Sequence, residues 1–148
     1  MPLAATVKVT FAPAVTVWLR GWVATVAAGD DGGSFNVNAD LVAGQLAAAL
    51  GADKCLFLTD VDGLYRDFSD KSSLISALTP QQAEEMIVSD ELEGGMVPKV
   101  AACVHALRGG VRRAHILNGT VPLAILLEVY TDEGVGTMIA NDLGSGGA

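Results

Sequence analysis

Aromatic side chains are scarce in this chain: four phenylalanines, two tyrosines and two tryptophans, 5% of 148 residues. Apolar residues still make up 51%, so the core must be built from Ala, Val, Leu and Ile. Basic residues are few as well. Nine Lys and Arg face seventeen Asp and Glu, a formal charge of −8. That balance argues against nucleic acid or an anionic membrane as a partner. A polyanionic substrate would need local compensation from a lysine, a metal ion or helix ends. Only two cysteines occur, Cys55 and Cys103. They lie in apolar segments without C-x-x-C spacing and read as reduced core residues of a cytoplasmic protein. His105 and His115 stand apart from each other and from the cysteines, so no cluster has metal-ligand spacing. No apolar run reaches the roughly 18 residues of a membrane span, because Arg20 interrupts the best one. Residues 1–28 have a poor n-region and keep a strand-like alternation, which argues against a signal peptide.

What is present reads as one domain, long enough to bury roughly 70% of its unfolded surface. Residues 1–22 hold two β-branched runs and stay unassigned. Val23–Ala28 is a short apolar run fit for a strand, followed by a turn over 29–34. Asn38 then reads as the N-cap of a helix bearing Asp40 on its first turn and closed by Gly51. Cys55–Leu58 is an uninterrupted apolar run, the pattern of a strand covered on both faces. The charged stretch 66–73 is expected to be exposed. Leu74–Ala77 reads as a small strand. Thr79-Pro80-Gln81-Gln82 is a capping box with proline at the first helical position. Pro98 is expected to start the next helix, which runs through Val100, Cys103, Val104 and Leu107 and stops at Gly109-Gly110. Ala114–Leu117 is a strand, Pro122 opens a helix to about Glu128, Val135–Ala140 is a last strand, and 141–148 a frayed tail. This alternation predicts an α/β domain, a mostly parallel sheet with helices on both faces.

Two stretches carry the candidate chemistry. Asn36-Val37-Asn38-Ala39-Asp40 and Gly94-Gly95-Met96-Val97-Pro98-Lys99 are each expected where a loop becomes a helix. Unpartnered N–H groups and the dipole at a helix start favour an anion. A carboxylate on one such turn and a lysine on the other suit phosphoryl transfer. In that reading the amide of Asn36 or Asn38 binds an acceptor and Asp40 orients cationic side chains. Each motif also has a plainer reading. The asparagines and Asp40 serve equally as helix caps, and Gly94-Gly95 as a turn before a helix with Lys99 in solvent. Thr59-Asp60 follows the apolar strand at its carboxyl end, where ligands bind in open α/β sheets. It too could be an ordinary turn.

From Val23 to about Ala140 the chain resembles the carboxyl-terminal, nucleotide-binding lobe of the acetylglutamate kinases, in the amino-acid kinase superfamily. The resemblance rests on the two stretches above, on Thr59-Asp60-Val61-Asp62-Gly63-Leu64-Tyr65, and on the run from Leu126-Leu127-Glu128 to Gly134-Val135-Gly136-Thr137. It implies a three-layer αβα fold and ATP-dependent phosphorylation of the side-chain carboxylate of N-acetyl-L-glutamate, with Mg2+ bridging the phosphates. It implies that Asn36 and Asn38 contact the acceptor, Asp40 holds catalytic lysines and Lys99 stabilises the moving phosphoryl group. Thr59, Asp60, Val61, Gly63, Leu64, Tyr65, Glu93, Gly94, Gly95 and Met96 would line the ATP site. His115, Glu128 and Gly134 resemble the effector site of the arginine-inhibited branch, whose members are homo-oligomers. The family's amino-terminal lobe carries a lysine followed by Gly-Gly, whereas Lys8 is followed by Val9-Thr10-Phe11. The expectation is therefore a chain with that lobe largely missing, either a kinase or a nucleotide- or arginine-binding lobe without turnover.

Overall fold

A computed structural model describes residues 24–27, 34–92, 95–131 and 134–143, with side chains from residue 38 onward. The segment 1–22 and the end of the tail, 144–148, lie outside the described residues. The first elements are the antiparallel strands β1 (Ala24–Ala27) and β2 (Ser34–Val37), with Ala24 opposite Val37. β1 falls within the expected strand. β2 replaces part of the expected loop, since Asn36 and Val37 end a strand. Ser34 reads as a turn residue and Asn36 as a loop residue, so the polar half of this strand hides it from sequence.

The chain passes from β2 through Asn38 directly into α1 (Ala39–Ala49). Asn38 is the N-cap, and its side-chain oxygen accepts from the backbone N–H groups of Asp40 (2.9 Å) and Leu41 (3.3 Å). That removes two of the orphan donors a helix start leaves. The inner face of α1 is all small: Ala39, Ala43, Gly44 and Ala47. There follow β3 (Lys54–Thr59), β4 (Ala77–Leu78), α2 (Pro80–Val88), α3 (Met96–Arg108), β5 (Arg113–Asn118), α4 (Ala124–Tyr130) and β6 (Thr137–Ala140). The Thr79 capping box forms with both of its hydrogen bonds.

Strands β3 to β6 form one sheet in the order β3-β5-β6-β4. β3 runs parallel to β5, with Thr59 opposite Asn118, and β4 runs parallel to β6. Only the β5–β6 pair is antiparallel. Cys55, Phe57, Ala114, Ile116 and Ile139 form a single buried cluster with the inner faces of α1, α2 and α3. Side chains alternate across a strand, so Leu56, His115 and Leu117, also buried, face the other way. There α4 lies against β5. Both faces are covered, as the apolar run of β3 predicted.

Several boundaries move. The last strand begins at Thr137, where its pairing with β5 starts, rather than at Val135. The small strand is Ala77–Leu78 rather than Leu74–Ala77, because its partner is β6, an element 60 residues on that local pattern cannot reveal (Ala77 pairs with Met138). Leu74 instead makes an isolated bridge to Tyr65. Helix α3 begins at Met96, two residues before Pro98. Proline is tolerated there because the first-turn N–H groups have no intrahelical acceptor. Helix α4 begins at Ala124 rather than at Pro122. The four apolar residues that the helix was expected to run through, Val100, Cys103, Val104 and Leu107, are all buried. Both cysteines are free and fully buried.

Candidate active site

Helices α1 and α3 approach closely at Gly44. A Cβ there would stand 2.6 Å from the carbonyl oxygen of Ala102, so only glycine allows this separation. The close packing brings the first turns of the two helices together. Lys99 Nζ donates to both carboxylate oxygens of Asp40, at 3.2 and 3.0 Å. The two side chains are only 15% and 14% exposed. The acid and the base read from sequence as two helix starts thus meet as an ion pair at the edge of a cleft.

That cleft is a cavity of about 750 Å³ beyond the carboxyl end of β3, and Lys99 is part of its wall. Thr59, Asp60 and Val61 form its strand side, and Gly63, Leu64 and Tyr65 its floor. Gly95 and Met96 bring in the start of α3, where no side chain caps the helix. Among the described residues its leading N–H groups have no side-chain cap, and such a helix start with an ammonium beside it can accept an anion. Glu93 and Gly94 lie outside the described residues. Asn36 sits on β2, where only the backbone is described. Asn38 is exposed, commits its Oδ1 to the α1 cap and does not line the cavity.

Sequence reasoning missed one wall. Arg66, Asp67 and Phe68 are exposed, as expected, but they also line the cavity, as do Glu91 and Leu92. Phe68 meets Tyr65 edge to face at 5.8 Å, and Lys71 Nζ stands 4.5 Å and 4.3 Å above the two rings. The Tyr65–Leu74 bridge folds this stretch back. A lone phenylalanine inside a charged run was the available signal. Burial, and then its hydrogen bond to the Asp62 carboxylate, push the Tyr65 hydroxyl up to about 12.

A second cluster lies on the α4 side of the sheet. His115 Nδ1 is 2.6 Å from Glu128 Oε1, and Glu128 Oε2 accepts from the Val135 N–H at 2.8 Å. Both side chains are under one-tenth exposed, so Glu128 is no surface acid. Gly134, at φ 60°, closes against the carboxylate; a Cβ there would lie 3.0 Å from Oε2. Burial alone would raise the Glu128 carboxyl. The hydrogen bonds from His115 and Val135, with the charges of His115 and Lys54, outweigh it and hold the group below its usual range. His115 Nε2 is buried without a partner among the described residues. The three predicted effector residues are therefore contiguous, and separate from the cleft.

A sheet of this topology, with its cavity beyond the strand ends, defines an open α/β domain of the kind that takes ligands at its strand ends. The family model described as the amino acid kinase family matches residues 3–118, and the chain belongs to that family. Over 127 residues it is 55% identical to the acetylglutamate kinase of Pelotomaculum thermopropionicum, a match covering 84% of this chain and 43% of that protein. The chain thus spans less than half the length of the curated relative. Among solved structures it is similar to N-acetylglutamate synthase from Neisseria gonorrhoeae complexed with coenzyme A and L-arginine. That match has TM-score 0.66 and 32% identity over 76% of this chain and 26% of the other. Carbamate kinase from Giardia lamblia bound to AMP-PNP shares the fold, at TM-score 0.57 and 20% identity over 77% of this chain and 36% of the other.

Proposed function

We propose that this chain is the nucleotide-binding lobe of an acetylglutamate kinase, which moves the γ-phosphoryl group of ATP to the side-chain carboxylate of N-acetyl-L-glutamate. The observation that carries the reading is the Asp40–Lys99 pair at the mouth of the 750 Å³ cavity. Phosphoryl transfer needs positioning and charge neutralisation more than covalent chemistry. Lys99 is placed to follow the phosphate oxygens as negative charge shifts between them. Asp40 fixes that ammonium, so little reorganisation is needed when charge moves. Asn36 lies just ahead of the same helix start and is assigned to the acceptor; Asn38 supports it as the cap. The run from Thr59 to Tyr65, with Glu93 to Met96, is assigned to ATP.

Magnesium is assigned to the phosphates. Phosphate oxygens are the usual partners of this ion in such reactions. Its chemistry would be to neutralise the phosphate charge. His115, Glu128 and Gly134 are assigned to an arginine effector. The buried carboxylate and the unpartnered His115 Nε2 suit a polar cationic ligand, and a relative of 32% identity is known with L-arginine bound. Residues 23–140 are taken as the lobe, in an assembly of identical chains in the cytoplasm.

A second reading keeps binding and drops turnover. It is favoured by Lys8-Val9-Thr10, which lacks the family's Lys-Gly-Gly. A turnover assay with N-acetyl-L-glutamate and Mg-ATP separates the two. Acyl phosphate formation abolished in Lys99→Ala supports the kinase. Calorimetric ATP binding without product supports the binding lobe. Absence of ATP binding overturns the kinase and the nucleotide-binding lobe, and calorimetry with L-arginine then tests the arginine-binding lobe.

A further inference from the structure

Of the run Thr59 to Tyr65, every residue lines the cavity except Asp62. Its carboxylate is turned away and engaged on both oxygens. Oδ1 accepts from Asn118 Nδ2 at 2.8 Å, and Oδ2 accepts from the Tyr65 hydroxyl at 2.7 Å. Asn118 is the last residue of β5, opposite Thr59 in the sheet. Its own Oδ1 is held by Thr120, from the backbone N–H at 2.9 Å and the hydroxyl at 2.6 Å. The amide orientation is thereby fixed, with Nδ2 aimed at Asp62. Two residues on, the Leu64 N–H donates to Thr137 Oγ1 at 2.8 Å.

We propose that Asp62 is a positioning residue for the nucleotide: one carboxylate, tied to the end of β5 and to the Tyr65 ring, sets the shape of the loop that meets ATP. The inference rests on assigning the cavity to ATP. A loop of six cavity-lining residues beyond a strand end would otherwise carry several free backbone torsions, each costing about 1–2 kcal/mol to order when ligand binds. Tying the loop in advance moves that cost into folding, which is how preorganisation gains affinity. The carboxylate is suited to the role because it only accepts, and both neighbours offer donors. The Asn118 and Tyr65 hydrogen bonds hold it ionised, its carboxyl below the usual range. Tyr65 in turn presents its ring to Phe68 in the cavity wall. Asp62 thus acts through Tyr65 and the loop backbone without touching the ligand.

The test compares Asp62→Ala, Asp62→Asn and Asn118→Ala with the unaltered chain, using Mg-ATP in calorimetry. Asp62→Asn can keep both links, since its amide oxygen accepts from Asn118 and its NH2 donates to the Tyr65 oxygen. Asp62→Ala keeps neither. Positioning predicts that Asp62→Ala weakens Mg-ATP binding about tenfold or more, the scale of a lost hydrogen bond to a charged group. Asp62→Asn stays within about threefold on the same scale. The Ala changes at 62 and 118 are expected to be strongly non-additive in a double-mutant cycle. Tyrosine absorbance gives a ligand-free readout: the Tyr65 hydroxyl, raised to about 12, falls toward its ordinary value in Asp62→Ala. Unchanged Mg-ATP affinity in Asp62→Ala, with only a lower melting temperature, overturns positioning in favour of a structural role. Equal losses in Asn and Ala overturn it in favour of a role for the charge. If the unaltered chain does not bind Mg-ATP at all, the ATP assignment itself falls, a different result from any of these.

Discussion

The Lys99 ammonium bonds both oxygens of the Asp40 carboxylate, at 3.0 and 3.2 Å, across a sequence separation of 59 residues. Each residue stands on the first turn of its helix, and the two helices touch through small side chains. The geometry predicts a division of labour. Lys99→Ala is expected to lower turnover by about two powers of ten or more, the scale of removing one preorganised charge. Mg-ATP affinity should change far less. Initial-rate kinetics check this: a loss confined to the Michaelis constant for ATP would mean that Lys99 binds the ground state only.

Asp40→Asn should cost turnover while leaving the fold intact. The α1 cap is made by Asn38, not Asp40, and the amide keeps the shape of the carboxylate. Loss of a part-buried ion pair leaves Lys99 without its counter-charge, at a cost of about 1–3 kcal/mol. A thermal melt should stay cooperative. Collapse of the transition would show that Asp40 is structural.

Gly44→Ala tests the packing that makes the pair. In a free helix interior that change stabilises by about 1 kcal/mol. Here the new Cβ would lie 2.6 Å from the Ala102 carbonyl oxygen, a backbone atom that can yield only by moving α3. The expected sign is therefore reversed, with a net loss of about 1–3 kcal/mol in urea unfolding. A fall in turnover should accompany it, since Asp40 and Lys99 are drawn apart. A gain in stability would show that α1 and α3 can separate at no cost.

The starts of α1 and α2 were legible because their signals are local. Asn38 before a run of alanines is a cap, and Thr79-Pro80-Gln81-Gln82 is a capping box. The sheet was legible because β3 and β5 are long enough to read as buried runs. β2 was not, because Ser34 reads as a turn residue and Asn36 as part of a loop, and β4 was misplaced because its two residues owe their state to β6. The exposure of Arg66–Phe68 was legible from its charge; its place beside the cavity was not, because the Tyr65–Leu74 bridge that folds the stretch back is a tertiary contact. His115 and Glu128 sit on a strand and a helix 13 residues apart. Nothing in their spacing pairs them; only the family likeness grouped them.

Thr137 is expected to be as important to the cavity floor as any lining residue. Its hydroxyl is fully buried, accepts from the Leu64 N–H and donates to the Ile75 carbonyl at 2.7 Å. Thr137→Val keeps the shape and removes the hydroxyl, leaving a buried N–H and C=O unsatisfied. Each such group costs about 1–3 kcal/mol. Thr137→Ser keeps both bonds and should lose only the methyl contact, about 1 kcal/mol. Urea midpoints that rank Ser well above Val confirm the hydrogen bonds; the reverse order would mean that packing of the methyl dominates.

The Glu128 carboxyl gives a pH signature with a definite sign. Its folded pKa lies below its ordinary value near 4.5, so the folded state favours the ionised form. The stability this contributes is fully present above about pH 4.5, the unfolded value, and is lost as pH falls through the lower folded value. Glu128→Gln lacks the titrating group and cannot lose that increment. The Glu128 contribution to the difference in unfolding free energy between the unaltered chain and Glu128→Gln should therefore shrink as pH falls below about 4.5. Urea unfolding at a series of pH values measures it directly. A difference that stayed constant or grew below pH 4.5 would mean that burial, which raises the carboxyl, outweighs the hydrogen bonds from His115 and Val135. The buried pair would then be held together by its surroundings rather than by its charge.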